Sequence, residues 1–276
     1  MISTDITALS LEIDHNGCRR SFLRTAASCC GSLTLAILIP SPASATSYQV
    51  EGAPSDILEL VLNPGDRILS EPGTLVFMDD AIEMSIQSRG GGGFTRFLAG
   101  GKFFVVDYTN KGSKPARLAL GTEFPSRIVP LKLEDHGEKL YGKIHSFLAS
   151  SSDVRLDAKV EFVRGSVFIL ESIEGKGTVF LTGSGNIVAK TLQKGEVIRA
   201  SRGALVALDN TVTYQTVFVQ GGLSTVLLGG QGLFLTKLTG PGTVWLDSAP
   251  IDGLVKEVAK RVESNESSDS DKKPKD

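Results

Sequence analysis

Between Tyr48 and Pro250 the chain is written in short apolar stretches: Ile57 to Leu62, Thr74 to Met78, Phe103 to Asp107, Val167 to Leu170, Thr178 to Leu181, Val212 to Val219 and Thr243 to Leu246. Each is rich in Val, Ile, Phe and Leu and is bounded by Gly, Asn-Pro-Gly or Pro-Gly signals, the pattern of β-strands joined by tight turns. In Asn63-Pro64-Gly65 and Glu71-Pro72-Gly73, proline presets the first central residue and glycine accepts the positive φ that follows. Thr211 to Phe218 alternates polar and apolar residues, the period of a half-buried strand. No long helical pattern recurs in this region, which argues against helical solenoids and βαβ units. The predicted fold class is all-β.

The pattern also repeats. Leu62, Gly65, Asp66, Ile68, Gly73, Leu75, Val76 and Asp79 recur 130 residues later as Leu192, Gly195, Glu196, Ile198, Gly203, Leu205, Val206 and Asp209. The two aspartates that close these copies are expected to cap turns through side-chain bonds to backbone. A middle copy lies at half that offset: Gly175, Gly177, Val179 and Leu181 match Gly240, Gly242, Val244 and Leu246, and Gly112, Gly177 and Gly242 are evenly spaced. The middle copy of the first motif is degraded to His136-Gly137-Glu138 and Phe147-Leu148-Ala149. Three repeats of about 65 residues, each too small to hold its own core, should pack around a shared pseudo-threefold axis as a β-sandwich or barrel.

Both ends read differently. Ile251, Leu254, Val255, Val258 and Val262 fall at helical spacing behind Asp252, which predicts an amphipathic helix over 251–263 docked on the β body. Residues 264–276 are Ser, Asp, Glu, Lys and Pro, a composition that predicts disorder. At the other end, Arg19, Arg20 and Arg24 precede an apolar stretch from Ala26 to Ile39, and Ala43-Ser44-Ala45 supplies small residues of the A-x-A type. That order is a cleavable targeting segment over 1–45, with Ala43 and Ala45 at its cleavage site. Arg19-Arg20-Ser21-Phe22-Leu23 resembles a twin-arginine signal, which predicts export to a periplasm or thylakoid lumen. A mitochondrial presequence is the alternative, although Asp5, Glu12 and Asp14 are acids that such segments usually lack. The apolar stretch falls short of the roughly 20 residues a membrane-spanning helix needs, so no transmembrane helix is predicted. The β domain itself then occupies 46–250.

Composition narrows the chemistry. Lys and Arg total 29 against 31 Asp and Glu, a net charge of -2, so no global basic field attracts nucleic acid. Cys18, Cys29 and Cys30 all lie in the leader. The body therefore has no cysteine nucleophile and no cysteine ligand for zinc or iron–sulfur.

At its turn motifs the sequence resembles the family named altered inheritance of mitochondria protein 24. The carrying residues are Pro64-Gly65-Asp66, Glu71-Pro72-Gly73, Met78-Asp79, Gly90 to Gly93, Leu98-Ala99-Gly100, Ile128 to Leu133, Gly229 to Phe234 and Gly240 to Trp245. The resemblance covers about Tyr48 to Pro250. It implies three repeats similar to the tryptophan RNA-binding attenuation protein (TRAP) subunit, and a role in mitochondrial inner-membrane organisation without known catalysis. The middle repeat departs: Leu156 to Gly165 stands where the family usually has a glycine-rich loop.

Among candidate sites, Arg89 to Arg96 is the most unusual segment. Its run of glycines beside two arginines offers backbone N–H groups to an anion, but it lacks the spacing of a phosphate-binding loop. We read Gly90, Gly91, Gly92, Gly93, Phe94 and Phe97 as a partner contact. His136 and His145 lack the ligand spacing of zinc, and no serine elbow with a later histidine is present. The expected function is a non-enzymatic β scaffold that assists membrane or protein-complex organisation, with protein partners or self-association and no cofactor. The alternative is a small-ligand-binding module with a cleft on the pseudo-threefold axis.

Overall fold

Nineteen β-strands are laid out in the computed structural model, which describes residues 46–53, 55–88, 104–122, 124–163, 166–218, 234–251, 253–255, 258 and 261, with backbone alone at 88, 158–163, 166–169 and 234. The strands fall into three modules. The first holds β1 (Ser47–Glu51), β2 (Ile57–Leu62), β3 (Arg67–Ser70), β4 (Leu75–Met78), β5 (Ile82–Ser88), β6 (Phe104–Asn110) and β7 (Ala116–Leu120). The second holds β8 (Arg127–Lys132), β9 (Lys139–Lys143), β10 (Phe147–Ser151), β11 (Val154–Val163), β12 (Ser166–Gly175) and β13 (Thr178–Gly183). The third holds β14 (Ile187–Leu192), β15 (Val197–Ser201), β16 (Leu205–Asp209), β17 (Thr213–Phe218), β18 (Phe234–Thr239) and β19 (Gly242–Asp247).

Four antiparallel ladders recur in each module, beside the β1–β2 ladder of the first. In the first they are β2–β7, β4–β7, β3–β6 and β5–β6. The second has β8–β13, β10–β13, β9–β12 and β11–β12. The third has β14–β19, β16–β19, β15–β18 and β17–β18. The equivalent strands β4, β10 and β16 carry a register shift at the same place each time, after Leu75, Phe147 and Leu205. Sheets then join across modules: β10 pairs β3 and β16 pairs β9. The result is two six-stranded sheets, β5-β6-β3-β10-β13-β8 and β11-β12-β9-β16-β19-β14, with β1-β2-β7-β4 and β15-β18-β17 at the two ends. Every sheet has two end strands, so none closes into a barrel.

Strand placement follows the apolar pattern closely. β2 alternates buried and outward residues, with Leu58, Leu60 and Leu62 inside. The turn glycines behave as their neighbours require: Gly65, Gly137 and Gly195 have φ of 86°, 69° and 79°. Ladder register also corrects the even glycine spacing. Leu62 pairs with Ala116, Leu133 bonds Gly177 and Leu192 pairs with Gly242. Ala116, not Gly112, therefore stands where Gly177 and Gly242 stand. The three leucines are 71 and 59 residues apart, because the modules differ in the length of their outer hairpins. In the second module that hairpin is a ten-pair ladder from Val154↔Gly175 to Val163↔Ser166, which explains why no glycine-rich stretch occurs there.

Three apolar cores result, and neighbouring modules share them. The first is built on Leu58, Leu60, Leu118 and Tyr108, and takes Leu148, Ala149 and Phe180 from the second module. The second is built on Leu133, Leu140 and Ile173, and takes Val206, Ala207 and Trp245 from the third. The last gathers Leu192, Leu208, Leu238 and Val244. The helical residues at the C-terminus depart from expectation. Ile251 is half-buried, but Leu254, Val255 and Val258 are 64%, 58% and 52% exposed, so these three are not buried against the β body.

Candidate functional site

The β3–β4, β9–β10 and β15–β16 turns, one from each module, converge on one cleft of about 360 Å³, lined among others by Glu71 and Thr74, by Lys143 and Ser146, and by Gly203 and Val206. Sequence requires these turns to satisfy their own buried backbone, and short hydroxyl side chains do this. Thr74 Oγ1 donates to the Glu71 carbonyl at 2.8 Å and lies 2.6 Å from Ser70 Oγ. Ser146 Oγ lies 2.7 Å from the Lys143 carbonyl and 3.2 Å from that of Val206. Lys143 Nζ donates to the Gly203 carbonyl at 3.1 Å, bridging the second and third modules. At the cleft's edge, Asp247 accepts backbone N–H groups of Ser184, Gly185 and Ala249, each at 2.8 Å. Phe147, Leu148, Leu205, Ile251 and Val255 supply apolar walls. This is a cleft whose named polar side chains hold backbone in place around an apolar interior.

The module junctions are clasped by charge. Asp56 accepts the Ile128 N–H and pairs with Arg127 Nη1, both at 2.8 Å. His136, a half-buried residue of a short 3-10 turn (Leu133–His136), sits with Nδ1 2.9 Å from Asp209 Oδ1, and its ring meets Trp245 edge-on at 5.0 Å. It links the second module to the third, a role its sequence context did not reveal. Among the described residues no three His, Cys, Asp or Glu side chains gather as a metal site would need.

Asp79 and Asp209 do bond backbone through their side chains, but across strands and not within their own turns as expected. Asp79 Oδ2 accepts the Arg117 N–H at 2.8 Å, and Asp209 Oδ2 accepts the Thr243 N–H at 2.6 Å. Ser151 does the same for Thr178 at 3.1 Å in the second module. The Arg117 N–H, with its guanidinium adding to it, holds the Asp79 carboxyl below the usual aspartate range.

With this geometry established, comparison with known proteins is informative. The profile of the family described as Mitochondrial biogenesis AIM24 matches residues 48–249. The chain belongs to this family. No curated protein matches the sequence. Among solved structures, an X-ray crystal structure of a protein from Streptococcus pyogenes is similar, with a TM-score of 0.63 and 17% identity over 79% of this chain and 100% of that one. At that identity the likeness concerns the fold. Membership in the AIM24 family carries a link to mitochondrial biogenesis and agrees with the mitochondrial alternative for targeting; it lends no support to a periplasmic or lumenal address.

The partner contact read from this AIM24-family sequence, Gly90 to Gly93 with Phe94 and Phe97, lies outside the described residues, as do Arg19, Arg20, Ala43 and Ala45 of the leader. What is described is the hairpin that carries the glycines. On β5 and β6, Met84, Ile86 and Phe104 are exposed, Ile86 by 71%, and on β17 Phe218 is exposed. Toward the base of the first hairpin, Asp107 is buried and accepts from Arg67, from Gln87 Nε2 at 2.6 Å and from Thr109 Oγ1 at 3.2 Å. Hydrogen bonding to Asp107 raises the Arg67 guanidinium above the usual arginine range. Sequence reading missed this anchor, since Arg67 and Asp107 are forty positions apart and only the β3–β6 register joins them. Among the described residues no helix is long and apolar enough to cross a membrane.

Proposed function

We propose that this protein is a non-enzymatic β scaffold that assists the organisation of a membrane or protein complex in mitochondrial biogenesis. The observation that carries the reading is the row of exposed apolar side chains on the β5–β6 hairpin, Met84, Ile86 and Phe104, next to the segment holding Gly90 to Gly93, Phe94 and Phe97. Apolar residues clustered on one projecting element mark a contact surface. The Asp107 anchor braces this hairpin at its base. The residues lining the cleft serve the fold in this reading, and no cofactor is needed.

The test is affinity purification of the full chain from fractionated cells, beside an Ile86→Asp, Phe104→Ser double variant. The expected result is a defined set of proteins recovered with the wild type and lost with the variant, at unchanged circular dichroism. Identical recovery from both would overturn the hairpin's role. A second reading, a small-ligand module, is favoured by the apolar walls of the cleft. A shift of several degrees in melting temperature with a single metabolite would support it.

For the leader, our proposal is a cleavable targeting segment that uses Arg19 and Arg20. Substituting both by Lys should abolish a twin-arginine route and leave mitochondrial import intact.

A further inference from the structure

Each junction inside the chain joins β3, or its counterpart β9, to the counterpart of β4 in the next module, β10 or β16. The pairs are Ser70↔Ala149, Leu69↔Ser150 and Ile68↔Ser151 in one, and Gly142↔Ala207, Tyr141↔Leu208 and Leu140↔Asp209 in the other. By the same rule β4 and β15 are two halves of a third junction. Among the described residues each is instead the end strand of its sheet.

The side chains show the same incompleteness. The bulges in β10 and β16 turn two consecutive residues toward the preceding module: Leu148 and Ala149 enter the first core, Val206 and Ala207 the second. β4 has this bulge too, and presents Val76 and Phe77, which are 56% and 39% exposed. Among the described residues the third core, around Ala200, Leu238 and Val244, contains none of the first module. Among the described residues the chain thus has an exposed plug on β4 and an open edge at β15, of a kind that fit each other twice within it.

We propose that the plug of one molecule joins this open edge of a second copy. β4 adds antiparallel to β15 of that copy with Phe77 opposite Ala200, Met78 opposite Arg199 and Asp79 opposite Ile198. The reverse pairing closes a two-fold dimer. The joined sheet runs β17-β18-β15-β4-β7-β2-β1, the strand order of the two six-stranded sheets with β1 added. The occupant is a second copy because of Phe77. At the pair of each internal junction that matches Phe77 both facing residues are small, Ser70 with Ala149 and Gly142 with Ala207. A Cβ on Gly142 would already lie 3.1 Å from Ile173 Cδ1. Phe77 stands at the alanine position and needs a wider junction. Within one chain the other two junctions fix that spacing, whereas two separate chains are free to set it. An open strand edge is also a ready template for pairing with another chain.

The test uses the full chain with Cys18, Cys29 and Cys30 changed to Ser. Phe77→Cys and Ala200→Cys are made in separate proteins, mixed and oxidised. Directly opposed strand residues lie within disulfide reach. The expected result is a covalent dimer in the mixture and in neither protein alone, and none when Val197→Cys replaces Ala200→Cys. A double variant that forms its disulfide inside a single chain, with no mixed dimer, would show self-closure and overturn the proposal. So would absence of any cross-link. Independently, Val76→Asp should halve the mass seen by light scattering with a circular dichroism spectrum like the wild type's; a mass of one chain in the wild type, or an unchanged dimer in the variant, would also overturn it.

Discussion

Phe77 lies opposite Ala119 across the β4–β7 ladder, whereas at the matching points Ala149 lies opposite Phe180 and Ala207 opposite Trp245. Large and small have changed sides in the first module. The aromatic of β13 or β19 fills a neighbouring core, while that of β4 faces outward. The reversal separates residues that sequence alignment would treat alike.

Truncating the two aromatics should therefore have unequal effects. Trp245 is 4% exposed within the second core, and Trp245→Ala should cost about 3–5 kcal/mol, the usual loss for a buried aromatic. Phe77→Ala, at a position 39% exposed, should cost under about 1.5 kcal/mol in dilute solution, where no second copy covers it. Urea denaturation of both variants measures the difference.

Asp209 serves two partners, the Thr243 N–H and His136. Asp209→Ala should cost about 1 kcal/mol, the net loss for a half-buried hydrogen bond. Asp79→Ala, in the more exposed equivalent position, should cost less. Denaturant midpoints for the two variants check the order.

Acid should weaken the fold through carboxylates that are stabilised when ionised. Lys139, and then Ser172, hold Glu174 below the usual glutamate range; Glu134 is lowered by its own backbone N–H and then by that of Gly177. Folded-state values below the unfolded ones mean that the contribution is present above about pH 4.5, the ordinary glutamate value, and is lost as pH falls further. Melting temperature measured from pH 7 down to pH 3 should drop in that lower window. Glu174→Gln should reduce the drop, and an equal drop in the variant would refute this assignment.

Two glycines separate backbone strain from crowding. Gly65 has φ 86° with open space around it, so Gly65→Ala should cost about 1–2 kcal/mol from the left-handed conformation alone. Gly242 has φ 132°, and an added Cβ would lie 2.6 Å from Thr211 Oγ1, so Gly242→Ala should cost distinctly more. Thermal melts rank the pair.

Much of the fold was legible because strand signals are local. Ile57 to Leu62 forms β2 over the same residues, and Thr243 to Leu246 lies inside β19. Of the ten-residue pair, Val167 to Leu170 was read inside β12, whereas β11 was missed because its apolar residues alternate singly with Arg155, Asp157, Lys159 and Glu161 and form no apolar stretch. The site was less legible. Nothing in the neighbourhood of His136 points to Asp209, or in that of Arg67 to Asp107, because those contacts depend on ladder register between distant strands.

By itself the sequence determined the all-β class, the positions of the turns and the glycines that must adopt positive φ, because apolar alternation and turn chemistry act over a few residues. Only the tertiary structure decided which strands meet, which modules lend residues to a neighbour's core, and that β4 and β15 end their sheets with Val76 and Phe77 uncovered. Those outcomes follow from packing and register across the whole β domain, where identical local patterns lead to buried or exposed positions according to what stands beside them.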